Sequence, residues 1–534
     1  MQINAEFRSF GTEPDTATKS TGMKNKNALI EELTAIREAI LRGENDFREV
    51  IDQVHPNYRY SATNFIRYLK LRTFDLRKIQ VRLSTLGLSS ISHSERHVLA
   101  NVENILHFLH LSQGKTFQGR YGLGEHPVNF IESQKVLKKN TRRLFKSNNN
   151  PRNTSVMVTL SAGAVVYDHV KSLLLAGMNI ARINCSHDDE EVWKQMVSNV
   201  NLATEETGLD CTIYFDLAGP KLRTGDVAPR TKKGKDIEGF IRLRQGDLLH
   251  IYRKPIVGKN AVKGKDKPEP RPAKISCSIP EILDKIKPGK TIWFDDGKIA
   301  GTILDVQQEY AVVEITKANP KGSKLKAEKG INLPDTHLDL PCLTEEDIIH
   351  LDFVVQHADI VGFSFVRHPA DVRQLQEELK KRNRADLGLV LKIENKEAFN
   401  NLPALIFQGM KSPSLGVMTA RGDLSVELGA ERLSEVQEQI LWLCEAALIP
   451  NIWATQVLET LAKKGIAARA EITDAAMSAR SECVMLNKGD YILEAVETLI
   501  DILDRMEQHQ YKKQGTLRLL QVAEKFFKTA DSMV

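Results

Sequence analysis

The chain has little that would commit it to a membrane, an export route or a disulfide framework. Nowhere do about 18 apolar residues run together, so no segment reads as a bilayer-spanning helix. The opening stretch, MQINAEFRSFGTEPDTATKSTG, is polar and lacks the apolar core of a signal peptide. Cys185, Cys211, Cys277, Cys342, Cys444 and Cys483 are scattered with no C-x-x-C pair, the pattern of reduced thiols in a cytoplasmic protein. Aromatic residues make up only 6%, and the net charge is only +5 over 534 residues, so neither nucleic acid nor an acidic membrane surface is called for. What is present, 42% hydrophobic and 27% charged residues, describes an ordinary globular protein long enough for two or three domains.

Along the chain the texture changes twice. Residues 1–26 are polar and read as a disordered tail. From 27 to 115 the pattern is helical: Leu29, Leu33, Ile36 and Ile40 share one face, and Gly43 is expected to end that helix. More helix is expected over 61–84. Ser94 reads as an N-cap before a helix carrying Leu99, Val102, Ile105, Leu106 and Leu109. Arg67, Lys70, Arg72, Arg77, Lys78 and Arg82 make part of this module basic, as a solvated face or as a surface for an acidic partner that the sequence does not identify. Residues 116–154 read as a linker with some helix. From 155 apolar, β-branched runs alternate with amphipathic helices: 155–160, 179–186, 211–217, 358–365, 388–394, 414–420, 451–456 and 483–488. Eight such units predict an α/β fold, a TIM (β/α)8 barrel over 155–225 and 341–505. Residues 226–340 interrupt the rhythm with short strands and Gly/Pro turns. They predict an all-β insertion, either a lid over the site or a surface domain. Residues 506–534 are expected to form C-terminal helices.

The strand ends carry the chemistry. Lys392 and Glu394 are two apart in GLVLKIE and share a strand face. Asp423 follows the next strand, so neighbouring parallel strands would bring Glu394 and Asp423 together. Two carboxylates beside a lysine suit a hard divalent cation that holds phosphate or carboxylate oxygens; a buried ion pair plus a solvated aspartate is the plainer alternative. Arg182, Asn184 and Ser186 alternate along the second strand, with His187 next, and arginine suits bidentate phosphate contact. Asp216, Ser364 and Thr455 end three further strands. So many polar groups at one face of a barrel point to a site.

These segments resemble the pyruvate kinase family. ARINCSH is similar to its ARLNFSH, FDLAGPKLRTG to its LDTKGPEIRTG, and KGINLPDTHLDLPCLTEEDI to its KGVNLPGVSVDLPALTEKDK. VGFSFVR, LKIEN, MTARGDLSVE, ATQVLET and RAEITDAA have counterparts in the same order. The resemblance covers residues 155–500, with the lid inserted after the third strand as in that family. It implies a phosphotransferase that moves the phosphoryl group of phosphoenolpyruvate to ADP, giving ATP and pyruvate. Glu394 and Asp423 would hold Mg2+. Arg182 and Lys392 would grip the phosphoryl group, and Thr455 would assist protonation of the enolate. Gly422, Asp423 and Ser364 would help seat the substrate, while His187, Arg223 and Lys329 would face the nucleotide. Asn184, Ser186, Asp216 and the Leu217 carbonyl match the family's monovalent-cation region. Lys221 stands where potassium-dependent members have glutamate, so an internal ammonium is expected there and K+ is not expected to be needed.

Three departures accompany the resemblance. Ser161-Ala162-Gly163-Ala164 replaces G-P-A-S after the first strand. Asn487-Lys488-Gly489 shortens S-G-E-T-A-K-G after the eighth, which removes the serine and glutamate of the family's proton relay. No counterpart of the family's C-terminal effector domain is expected, which leaves the oligomeric state open, a homo-oligomer included. The altered relay keeps two other readings in play: a Mg2+–enolate enzyme acting on another 2-oxo acid or its phosphate, and a catalytically weak ligand sensor whose helical module signals to a partner.

Overall fold

A computed structural model describes residues 16–88, 90–146, 152–232, 235–262, 271–336, 340–512 and 514–515. The chain divides into two compact units, Met1–Gln53 with Arg59–Val136 and Val54–Tyr58 with Leu137–Val534.

The first unit is helical. Helices Thr16–Asp46, Arg59–Leu71 and Val98–Leu111 pack their apolar stripes together, burying Leu29, Leu33, Ile36 and Ile40 against Leu99, Val102, Ile105 and Leu106. Its first helix starts inside the expected tail, and residues 1–15 lie outside the described residues. That helix also runs through Gly43 to Asp46; a single glycine costs only about 1 kcal/mol there, which tertiary packing overrides. Ser94 does not cap the Val98–Leu111 helix, because its hydroxyl donates to the Ile91 carbonyl. The Val98 N–H is instead accepted by Asn64 Oδ1 at 3.0 Å, a partner 34 residues away. On the basic helices, Arg67 pairs with Glu44, Arg77 with Asp75 and Arg82 with Glu32, so much of that charge is matched within the module.

The second unit holds the barrel. Strands β1 (Ser155–Thr159), β2 (Ile180–Asn184), β3 (Thr212–Asp216), β4 (Ile360–Phe363), β5 (Gly388–Ile393), β6 (Leu415–Ala420), β7 (Asn451–Ala454) and β8 (Cys483–Leu486) are parallel and close in sequence order, β8 pairing back onto β1. Strands covered on both faces read as continuous apolar runs, which is why all eight were legible. Helices follow them, from Tyr167–Leu175 after β1 to Ile492–Glu507 after β8. The expected linker 116–154 contains a helix, Phe130–Phe145, whose last turn reaches the barrel interior. Leu144 and Phe145 are buried in one cluster with Met157, Ile180, Val390 and Met485. Leu144 comes so close to β5 and β6 that a Cβ on Gly388 or Gly416 would lie 2.9 or 2.5 Å from its methyls. Of the expected C-terminal helices, the described residues hold only the end of Ile492–Glu507 and two short strands, Gln510–Tyr511 and Gln514–Gly515. Residues 516–534 lie outside the described set.

Between β3 and β4 lies the insertion, built on a six-stranded, largely antiparallel sheet with its own core of Ile251, Ile275, Phe294, Ile299, Val313 and Ile331. It stands at the C-terminal ends of the barrel strands, where the (β/α)8 fold carries its sites. No helix among the described residues is long and apolar enough to cross a membrane.

Candidate active site

The strand ends and the lid enclose a cleft of about 1060 Å3, bounded by Arg182, Lys392, Glu394 and Thr455 on the barrel and by Asp296 and Lys329 on the lid. On its floor Arg182, Asp216, Lys392 and Glu394 are each at most 7% exposed. Charges so deep must be paired, and these four form a chain. Arg182 Nε donates to Asp216 Oδ2 at 3.0 Å, and its Nη1 to Thr159 Oγ1 at 2.8 Å. Lys392 Nζ lies 3.0 Å from the same Asp216 oxygen, 3.1 Å from Glu394 Oε1 and 2.7 Å from Ser364 Oγ. Tyr214, two residues before Asp216 on the same strand face, donates to the other Asp216 oxygen at 3.0 Å.

The electrostatics follow. Burial opposes ionisation of Asp216, yet Lys392 and Arg182 outweigh it and hold the carboxyl below its usual range. Burial would also lower the Lys392 pKa, but Asp216 and Glu394 raise it, so it stays a cation. Glu394 goes the other way. Burial and then the nearby Asp423 carboxylate raise it, against the pull of Lys392.

A buried carboxyl whose ionisation is opposed by burial and by a neighbouring carboxylate is an arrangement a divalent cation relieves. Among the described residues no three His, Cys, Asp or Glu side chains cluster as a complete ligand set. Magnesium does not need one, since it commonly takes one or two carboxylates and fills its sphere with water and substrate oxygens. The donors present therefore fit that ion.

Asp423 opens the helix Arg421–Leu428 after β6. Both its oxygens receive the Lys221 ammonium, at 3.1 and 3.2 Å. This contact pairs Lys221 with Asp423, not with a residue of the expected monovalent-cation region. There Asp216 is already bound by Arg182 and Lys392, the Leu217 carbonyl accepts Ser364 Oγ at 2.6 Å, and Asn184 Oδ1 accepts the Ser186 N–H. The lysine follows the hinge of the lid, and its stem reaches the helix after β6 rather than back to β3. The Gly422 N–H donates to Thr455 Oγ1 at 2.7 Å.

Thr455 has φ +70°, rare for a β-branched residue. Sequence reasoning missed what holds it there. Arg421, buried and stacked 4.6 Å over the Trp453 ring, donates to the Ala454 and Thr455 carbonyls and to both oxygens of Asp474. Asp474 lies inside the RAEITDAA motif, but nothing local marks its partner, 53 residues away. Of the expected nucleotide-facing residues, His187, Arg223 and Lys329 all line the cleft. Burial, then the neighbouring Lys488 and Arg223 cations, lower the His187 pKa and favour the neutral imidazole. Arg223 donates to the Glu328 carbonyl at 3.1 Å, and Lys329 Nζ lies 3.9 Å from Asp295.

Barrel, lid and floor together define a class: a (β/α)8-barrel protein whose lidded cleft suits anionic, oxygen-rich ligands. Comparison with known proteins narrows it. Residues 151–496 match the family model for the pyruvate kinase barrel domain. The pyruvate kinase of Bacillus licheniformis is 32% identical over 380 residues, 70% of this chain and 60% of the relative. That of Geobacillus stearothermophilus is 31% identical over 364 residues, 67% and 57%. That of Dictyostelium discoideum is 32% identical over 362 residues, 66% of each chain. The chain belongs to the pyruvate kinase family, and its match spans roughly 60% of the length of these relatives.

Proposed function

We propose that the chain transfers the phosphoryl group of phosphoenolpyruvate to ADP, yielding ATP and pyruvate, with Mg2+ as cofactor and without a need for K+. The observation that carries the reading is that Arg182, Lys392, Glu394 and Asp423 line one cleft of this family's barrel. In the transfer the bond from phosphorus to the enolpyruvate oxygen breaks, and a bond to a β-phosphate oxygen of ADP forms. Charge spreads over the moving phosphoryl oxygens, and a fixed cationic clamp lowers the barrier because it needs no reorganisation. Arg182 and Lys392 supply that clamp, held by Asp216. Glu394 and Asp423 would hold Mg2+, which would neutralise charge on the substrate oxygens.

The enolate left behind takes a proton at carbon. The Thr455 hydroxyl accepts the Gly422 N–H, so its own proton remains free to donate. With Asn487 in the shortened β8 loop at the cleft, that proton is replenished from water. His187, Arg223 and Lys329 face the diphosphate, and neutral His187 can accept or donate one hydrogen bond. Asp216 already has two cationic partners, which supports independence from K+. Six free cysteines fit a reducing, cytoplasmic setting. The test is pyruvate release from phosphoenolpyruvate with ADP and Mg2+, wild type against Lys392→Met. Turnover that persists unchanged in the variant would sink the reading.

A further inference from the structure

The lid is joined to the barrel by two chain segments, and both reach the same helix, Arg421–Leu428. On the outgoing segment Lys221 Nζ grips both oxygens of Asp423. On the returning segment Asn332 Nδ2 donates to Glu427 Oε1 at 3.2 Å. Asp423 and Glu427 are four residues apart, so they stand on one helical face a turn from each other. The backbone around Lys221 leaves it little freedom. Gly219 holds φ +65°, and a Cβ there would come within 2.9 Å of the Phe365 ring. Leu222 belongs to the lid core, and its carbonyl accepts the Ile331 N–H at 2.8 Å. Lys221 is therefore a short tether between the root of the lid and one of the two carboxylates assigned to the metal.

We propose that Lys221 is a displaceable counterion: it holds Asp423, and through it the outgoing root of the lid, until a divalent cation takes that carboxylate. Metal uptake and release of the lid root are then a single event. The inference rests on the reading of Glu394 and Asp423 as metal ligands. An ammonium 3.1 Å from the Asp423 oxygens and a divalent ion about 2.1 Å from them repel each other in this half-buried cleft. The ammonium has a flexible four-carbon stem and can retreat. The Asn332–Glu427 contact, one turn away, is untouched and serves as the pivot. By linkage, the factor by which Lys221 weakens metal binding equals the factor by which the metal loosens the latch.

The experiment titrates Mn2+, read by electron paramagnetic resonance, into the full chain without substrate. Wild type, Lys221→Met, Lys221→Arg and Glu394→Gln are compared, and amide exchange of hinge residues 217–223 is followed with and without Mn2+. Lys221→Met is expected to bind Mn2+ about tenfold more tightly, within the usual range of coupling, and Lys221→Arg to stay near wild type. Mn2+ is expected to speed hinge exchange in wild type, whereas Lys221→Met exchanges at the faster rate without metal. Unchanged or weaker Mn2+ binding in Lys221→Met overturns the proposal while the Glu394→Gln loss keeps the metal ligands. Mn2+ binding indifferent to Glu394→Gln, or no binding at all, overturns both. A new K+ requirement in Lys221→Met at unchanged Mn2+ affinity also overturns it, by assigning the ammonium to the monovalent-cation region.

Discussion

Arg182 and Lys392 meet on a single atom, the Oδ2 of Asp216. The two side chains proposed to grip the phosphoryl group are thus spaced by one shared, fully buried carboxylate. Asp216→Asn would leave two buried cations without their shared anion. Removing one partner from such a group costs about 3–5 kcal/mol. The urea midpoint is expected to fall accordingly, and pyruvate release with it. An unshifted midpoint would mean that water already screens the pair.

Arg421 holds Thr455 in its left-handed conformation from behind, without facing the cleft chemistry itself. Arg421→Met is expected to lower kcat by up to about 100-fold, the scale of a 1 Å misplacement, with little change in the KM for ADP. Arg421→Lys should recover only part, because an ammonium cannot reach Asp474 and two carbonyls together. Steady-state kinetics separate the outcomes; a loss confined to KM would show that Thr455 does not depend on this clamp.

Glu427 gives a pH signature. Burial, then the Asp423 and Asp335 charges, push its carboxyl up to about 7, against the Asn332 hydrogen bond. The folded protein therefore keeps this proton over pH 4.5–7, where the unfolded chain has lost it. Stability is expected to fall as pH rises through that window and to level off above it. Glu427→Gln removes this contribution, leaving the variant more stable at pH 8 by on the order of 1–2 kcal/mol, allowing for partial exposure, and equal at pH 4. Urea unfolding of the metal-free protein at the two pH values checks it.

The barrel was legible because each buried strand writes a short apolar run into the sequence. Lys392 and Glu394 were legible because they sit two apart on one such run. What the sequence hid are partners that only the tertiary fold brings together. Asn64 caps a helix 34 residues on, Arg421 finds Asp474 across 53 residues, and Lys221 reaches Asp423 across 202. Ser94 and Gly43 were misread for the converse reason, since local signals for capping and termination lost to tertiary contacts. The twist of Thr455 into positive φ has no marker in a threonine.

Leu144 offers a test of the barrel floor. Leu144→Ala removes methyls packed against two glycines and is expected to cost about 2–5 kcal/mol in urea unfolding. Gly416→Ala should destabilise by crowding the same spot.

The region matched by the family starts at residue 151, yet the leucine stoppering the cylinder comes seven positions earlier. A fragment cut at the family boundary would be a tube without a base. Greasy side chains of β1, β5 and β6 would face water through the opening, inviting clumping of an otherwise closed barrel.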